Sequence, residues 1–173
     1  IYKNENEKAN EMLDKLCGFF RYSLDKNDKS KTTLRKELEL LELYLSIEKV
    51  RFGNRLTINI NICDEVMNGQ VPCMFLQPLV ENSIKYAIEL RKKGGIISIE
   101  AANVNNKLLL KVIDNGQDLN ENVRSGFGIG MSNTKARLDA MFNSDYSVTI
   151  DENFNHGTTV SITIPFETKN HSR

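Results

Sequence analysis

The 173-residue chain has no tryptophan, and only three prolines, three cysteines and two histidines. With His156 and His171 alone, a histidine-ligated metal centre and a Ser/His/Asp triad are both poorly supplied. Cys17, Cys63 and Cys73 match no zinc spacing, and an odd number cannot close a full disulfide framework, so they read as reduced core thiols of a cytosolic protein. Lys+Arg and Asp+Glu are both 23, so the chain lacks the basic excess of a general nucleic-acid binder. No apolar run approaches the ~18 residues of a membrane span, and the first residues do not read as a secretory signal. Any membrane link is therefore expected outside these residues. No repeat shows at a period of roughly 20 to 50 residues. What is present is an ordinary globular composition, 40% apolar. A chain of this length buries roughly 70% of its unfolded surface without a staple.

Residues 8–24 carry Met12, Leu13, Leu16, Phe19 or Phe20, and Leu24 at helical spacing. A polar, turn-like stretch at 25–31 follows. Thr33 is a candidate N-cap for a second helix, on which Leu34, Leu38, Leu41 and Leu45 step by 4, 3 and 4. Two amphipathic helices so joined suit a helical hairpin or dimer-forming arm, or ordinary packing on the domain that follows. From Leu56 the pattern becomes alternation through Ile58, Ile60 and Ile62, a half-buried strand. A helix is expected over 74–90, with Pro78 tolerable in its first turn. Residues 96–101 and 107–113 predict a hairpin about Asn105-Asn106, residues 129–142 a helix, and residues 146–150 and 158–164 a second hairpin whose turn ends at Gly157. Hairpins separated by helices predict an α+β two-layer sandwich, not the strict βαβ alternation of a Rossmann fold.

Three segments place unusual residues at element ends. In Glu81-Asn82-Ser83-Ile84-Lys85-Tyr86, an amide and an amine three residues apart share a helix face, with a carboxylate beside them. Such a set suits phosphate oxygens and Mg²⁺, although a solvated polar face looks the same in sequence. Asp114-Asn115-Gly116 ends the strand LLLKVI. A buried carboxylate there can accept an N–H, including an exocyclic amine, and the segment also reads as a plain turn. Ser125-Gly126-Phe127-Gly128-Ile129-Gly130-Met131-Ser132-Asn133 opens a helix with glycines that let phosphate approach free N–H groups. It is neither a Rossmann fingerprint, since no strand precedes it, nor a Walker A, since no Gly-Lys-Ser/Thr follows.

In order, Asn82 with Lys85, Asp114-x-Gly116, Gly128-x-Gly130 and Gly157-Thr158 resemble the N, G1, G2 and terminal Gly-Thr boxes of the Bergerat ATP-binding (GHKL) fold. LELYLSIEKVRFGNRL at 41–56, VPCMFLQPLVENSIKYAI at 71–88, GIGMSNTKARL at 128–138 and HGTTVSITIP at 156–165 narrow this. They resemble the LytS/YesM-type sensor histidine kinases, the membrane receptors of bacterial two-component systems. The resemblance covers roughly residues 12–166.

It implies a helical arm at 1–52, holding the second dimerisation helix and a connector, an ATP-binding catalytic domain at 53–168 and a polar tail at 169–173. It further implies that Asn82 ligates Mg²⁺ bridging the ATP phosphates, that Lys85 contacts phosphate, and that Tyr86 borders the nucleotide. Asp114 would accept the adenine amino group, with Gly116 making room for the base and Thr158 beside it. Gly128 and Gly130 would bring N–H groups toward the phosphates, with Met131 and Asn133 just behind and residues 117–127 as a short lid. Arg137 reads as structural. Glu81 is the carboxylate available as a base, and with Asn82 and Lys85 makes up the implied catalytic set. The reaction implied is γ-phosphoryl transfer to a histidine, for relay to a response-regulator aspartate.

The chain departs from the family pattern at Pro78, where relatives often carry Asn or Glu, at Tyr86, commonly His, and at Asp118, in place of the second Gly of Asp-x-Gly-x-Gly. The family's phosphoacceptor lies in an upstream Pro-His-Phe motif, and neither His156 nor His171 stands in such a setting. The chain thus reads as the cytoplasmic catalytic piece of a longer, homodimeric membrane receptor, with sensor and phosphoacceptor upstream. A nucleotide-binding docking module without transfer activity is the alternative reading.

Overall fold

Alternating apolar residues organise the structure, a computed structural model that describes residues 31–116, 128–153 and 156–168 together with Leu13, Cys17 and Gly18. The elements are β1 (Lys31–Thr33), α1 (Leu34–Phe52), β2 (Leu56–Ile62), β3 (Gln70–Pro72), α2 (Gln77–Ser83, continued as a π-helical turn Ile84–Glu89), β4 (Gly95–Val104), β5 (Lys107–Asp114), α3 (Gly128–Phe142), β6 (Ser147–Glu152) and β7 (Thr158–Pro165). The five-stranded sheet runs β2-β4-β5-β7-β6, with β2 and β4 parallel and every other neighbour antiparallel. Short β1 and β3 pair apart from it and were not anticipated. Three residues each leave no periodicity to read.

One face of the sheet is the core. Ile97, Ile99, Leu108, Leu110, Val112, Val160, Ile162 and Ile164 are buried against Leu79, Val80 and Ile84 from α2 and Leu138 and Phe142 from α3. This is the expected α+β two-layer arrangement. The β4–β5 hairpin turns where expected: Asn105 and Asn106 have φ of 53° and 60°, and Val104 pairs with Lys107. Two left-handed residues make a turn whose twist matches the strands, and asparagine tolerates that region. β2 is only partly as expected. Leu56 is buried, but Ile60 is 39% exposed, because an edge strand has cover on one side only. The cysteines are free, as expected, but they are not core residues: Cys17 and Cys63 are exposed and Cys73 is half-buried.

Thr33 caps α1 by accepting from the Lys36 N–H at 3.4 Å. The seam Leu34, Leu38, Leu41 and Leu45 is at most 4% exposed and belongs to the same core as the sheet. Of the two readings of this helix, ordinary packing on the domain is the one observed for residues 34–52. Each such leucine contributes about 1.5–3 kcal/mol by leaving water. The helix expected at 8–24, and residues 25–30, lie outside the described residues apart from the three named above.

Arg51 links α1 to the far end of α2 by an ion pair to Glu89 at 2.8 Å, and also meets Glu48 at 3.4 Å. On the same helix, burial, followed by the charges of Glu48, Glu81 and Glu89, pushes the Tyr44 phenol well above its ordinary value of 10.0. The folded chain then holds this proton at a pH where the unfolded chain has lost it, so stability should fall as pH climbs above about 10. Urea denaturation across that range is expected to show the fall, with Tyr44→Phe flattening it. Leu41→Ala should cost about 2–5 kcal/mol, within one cooperative transition. A detached arm would instead leave the unfolding midpoint unmoved.

Candidate functional site

Asp114 is the last residue of β5 and only 4% exposed. A carboxylate so placed is tolerable only if its oxygens find donors. One oxygen accepts from the Gly116 N–H at 2.9 Å and the Thr158 N–H at 3.3 Å. The other accepts from the Thr158 hydroxyl at 2.6 Å and the Ser83 hydroxyl at 3.3 Å. Asp114 therefore joins β5, β7 and α2 at one point, and the Ser83 bond is among its longest.

Glycine is required at two positions around it. A Cβ at Gly116 would lie 2.8 Å from Ala87 Cα, so its bare backbone lets the strand end approach the π-helical turn. Gly157 has φ of 89°, and a Cβ there would collide with the Asp114 carbonyl. Asparagines complete the frame. Asn153 Nδ2 donates to the Asp114 carbonyl at 2.8 Å, and Asn115 Oδ1 accepts from the Ile96 N–H at 2.7 Å. Arg91 donates to the Asn115 carbonyl.

Asn82 is half-buried on α2, and its Nδ2 is buried without a hydrogen-bond partner among the described residues. It faces α3: a Cβ on Gly130 would lie 3.8 Å from that nitrogen and 3.3 Å from Pro78 Cβ. The structure thus brings Asn82 and Gly130 together, with Pro78 in the first turn of α2, as expected. Gly128 is the first residue of α3. Glu81 is exposed and accepts from Gln77 Nε2 at 2.7 Å. Lys85 is exposed, with its ammonium 5.1 Å from the Tyr86 ring centroid. Tyr86 is buried in the core at 8% exposure. Met131 is also a core residue, 5% exposed, while Asn133 is exposed. The expected lid at 117–127, with Asp118, lies outside the described residues.

Ser83, Asn115 and Asn153 are site residues that sequence reasoning missed. Ser83 stood within a segment already singled out, but nothing in its spacing pointed to Asp114, 31 residues away. Arg137 donates to the Cys73 and Met74 carbonyls, which fits its structural reading.

A mixed five-stranded sheet with its helices on one face is the architecture of histidine-kinase catalytic domains. The catalytic domain of histidine kinase ThkA superposes with a TM-score of 0.62 at 15% identity, covering 80% of this chain and 96% of that one. Acinetobacter baumannii histidine kinase AdeS gives 0.60 at 15% identity, covering 95% and 82%. ThkA in complex with response regulator protein TrrA gives 0.57 at 16% identity, covering 92% and 49%. At the level of sequence, residues 1–56 match the family described as histidine kinase. Residues 73–168, more than half of the chain, match the family described as histidine kinase-, DNA gyrase B-, and HSP90-like ATPase. The chain belongs to this ATPase family, in its histidine-kinase branch. Sensor protein LytS of Staphylococcus epidermidis is 33% identical over 96% of this chain, and sensor histidine kinase BtsS of Escherichia coli is 32% identical over 96%. The chain spans about three-tenths of the length of these relatives, 30% and 29% respectively. ATP binding follows from the family. Among the described residues, no helix is long and apolar enough to cross a membrane.

Thr158→Val keeps the shape of the side chain but removes the shorter hydroxyl bond to Asp114. It should destabilise the fold by about 1–3 kcal/mol in urea denaturation, since a buried carboxylate loses a donor. Thr159→Val, on the neighbouring, less buried position, should cost less.

Proposed function

We propose that this chain is the ATP-binding catalytic part of a sensor histidine kinase that transfers the γ-phosphoryl group of ATP to a histidine on a segment upstream. The observation that carries the reading is the pairing of a buried, multiply bonded Asp114 with an Asn82 Nδ2 that faces Gly130 and has no partner among the described residues. Adenine and phosphate would be held at these two ends.

Asp114 accepts the adenine amino group as the long Ser83 bond gives way, with Thr158 steadying the other side of the carboxylate. Gly116 and Tyr86 border the base. Asn82 suits the remaining requirement: its carbonyl oxygen is a hard ligand for Mg²⁺, and its buried N–H₂ suits a phosphate oxygen. Such an ion would rest on Asn82 and the substrate phosphates. When bound, Mg²⁺ offsets negative charge on the phosphates. Lys85 adds point charge from the exposed face, and Gly128 and Gly130 present backbone N–H groups at the opening of α3, with Asn133 behind them. In the transfer, an imidazole nitrogen attacks the γ-phosphorus, the bond to the β-phosphate bridging oxygen breaks, and ADP leaves. A neutral imidazole is already nucleophilic, so positioning and charge stabilisation carry most of the rate. Glu81, which accepts from Gln77, is the nearest carboxylate and would take the imidazole proton.

Further proposals follow for the whole protein. It would be a homodimeric, membrane-anchored bacterial receptor with this part in the cytoplasm, its arm at 1–52 and catalytic unit at 53–168. It would relay phosphate to a cognate response regulator, as the ThkA–TrrA complex suggests by fold likeness.

Calorimetric titration with a non-hydrolysable Mg-ATP analogue tests the reading. Saturable binding by the native chain is expected, lost in Asp114→Asn and weakened at least about tenfold in Asn82→Ala. Absence of binding by a folded native chain would sink it. Supplied in trans with the upstream histidine segment, the native chain should label that segment from γ-labelled ATP. Stoichiometric label on His156 or His171 would contradict the assignment of the acceptor.

A further inference from the structure

The segment between β3 and α2 is held from both sides. Met74 has φ of 53°, a left-handed conformation that is unfavourable for a bulky side chain and persists only where its surroundings enforce it. Glu37 of α1, 2% exposed, supplies one side: its two carboxylate oxygens accept separately from the Met74 N–H at 2.9 Å and the Leu76 N–H at 3.2 Å. The opposite side comes from α3. Arg137 donates to the Cys73 and Met74 carbonyls, and the Thr134 hydroxyl donates to the Phe75 carbonyl at 3.3 Å. Donors and acceptors of the same four-residue segment are thus divided between two helices.

The segment also sets α2. Leu76 stands at the N-cap, where its side chain makes no capping bond, and Asn82 follows within the same helix. Glu37 instead bonds the N–H of the N-cap residue itself from another element, with a negative charge where the helix dipole favours one. On α3, Gly130, Thr134 and Arg137 fall at i, i+4 and i+7, one stripe. That stripe meets Pro78 and Asn82, then the Phe75 carbonyl, then the Cys73 and Met74 carbonyls. Segment 73–76 is therefore tied both to the helix that carries Asn82 and to the helix that carries Gly130.

We infer that Glu37 is a positioning residue for the nucleotide site: by gripping segment 73–76 it makes the Asn82–Gly130 geometry depend on the placement of α1. The inference rests on the nucleotide reading proposed above. It goes beyond that reading in giving α1 a means of tuning phosphate binding from a helix that carries none of the proposed ligands. A Gln at position 37 can accept from only one of the two N–H groups and turns an N–H₂ toward the other.

The test uses the 173-residue chain, ¹⁵N-labelled, without nucleotide and then with the Mg-ATP analogue. Glu37→Gln should shift the Asn82 side-chain amide and Gly130 backbone amide resonances in the nucleotide-free state and weaken analogue affinity about tenfold. Glu37→Asp, which keeps the charge on a shorter stem, should fall between Gln and native and stands in if Glu37→Gln does not fold. Leu45→Ala, a core truncation on the same helix, should lower the unfolding midpoint yet leave both resonances and affinity within twofold of native. Unmoved resonances in both folded Glu37 variants, or an equal affinity loss in Leu45→Ala, would overturn the inference. If the native chain binds no nucleotide, the proposed function fails, while the nucleotide-free resonances still decide whether Glu37 positions Asn82.

Discussion

The buried carboxylate of Asp114 is the constraint around which the rest of the site is arranged. A carboxyl group at 4% exposure must be met by hydrogen-bond partners, and no single element supplies enough of them. Gly116 turns the chain so that its own N–H returns to the carboxylate. The Gly157-Thr158 corner brings β7 across with an N–H and a hydroxyl, and α2 adds Ser83. A polar group that might have been a liability thus ties strand order to helix placement. It does so where β5 ends and the sheet's core face opens toward α2.

A second carboxylate does related work at the other end of α2. Glu37 and the Thr134–Arg137 pair divide the backbone groups of residues 73–76 between α1 and α3. The first of these helices lies in the stretch matched to the histidine-kinase family and the second in the stretch matched to the ATPase family. The two matched stretches are therefore joined by buried hydrogen bonds as well as by the shared leucine core. Residues 34–52 cannot be regarded as a free spacer between them.

Much of this was legible in the residues. Alternation gave β4, β5 and β7, because sheets with one covered face impose a period of two. Asn105-Asn106 and Gly157 marked both hairpins, because their φ values exclude most other residues. The segments around Asn82, Asp114 and Gly130 drew attention because each departs from what its element ordinarily holds, whereas Thr158 entered only through the family resemblance. Less legible were β1 and β3, too short to show a period, and the cysteines, whose apolar character did not determine where they sit. Ser83, Asn153 and Glu37 escaped because each owes its role to a partner more than 30 residues away.

The sequence by itself determined the two-layer class, the order of the longer elements, the position of the hairpin turns and the family. These follow from local periodicity, from backbone dihedrals open only to certain residues, and from motif spacing. Tertiary structure alone decided that the leucine seam of α1 faces the sheet, that Gly116 is needed against Ala87, and that Lys85 lies over Tyr86. It also decided that a glutamate indistinguishable in sequence from the surface acids of α1 is buried against the backbone of another element. Hydrogen bonds between distant segments depend on how layers meet, and no local pattern encodes that meeting.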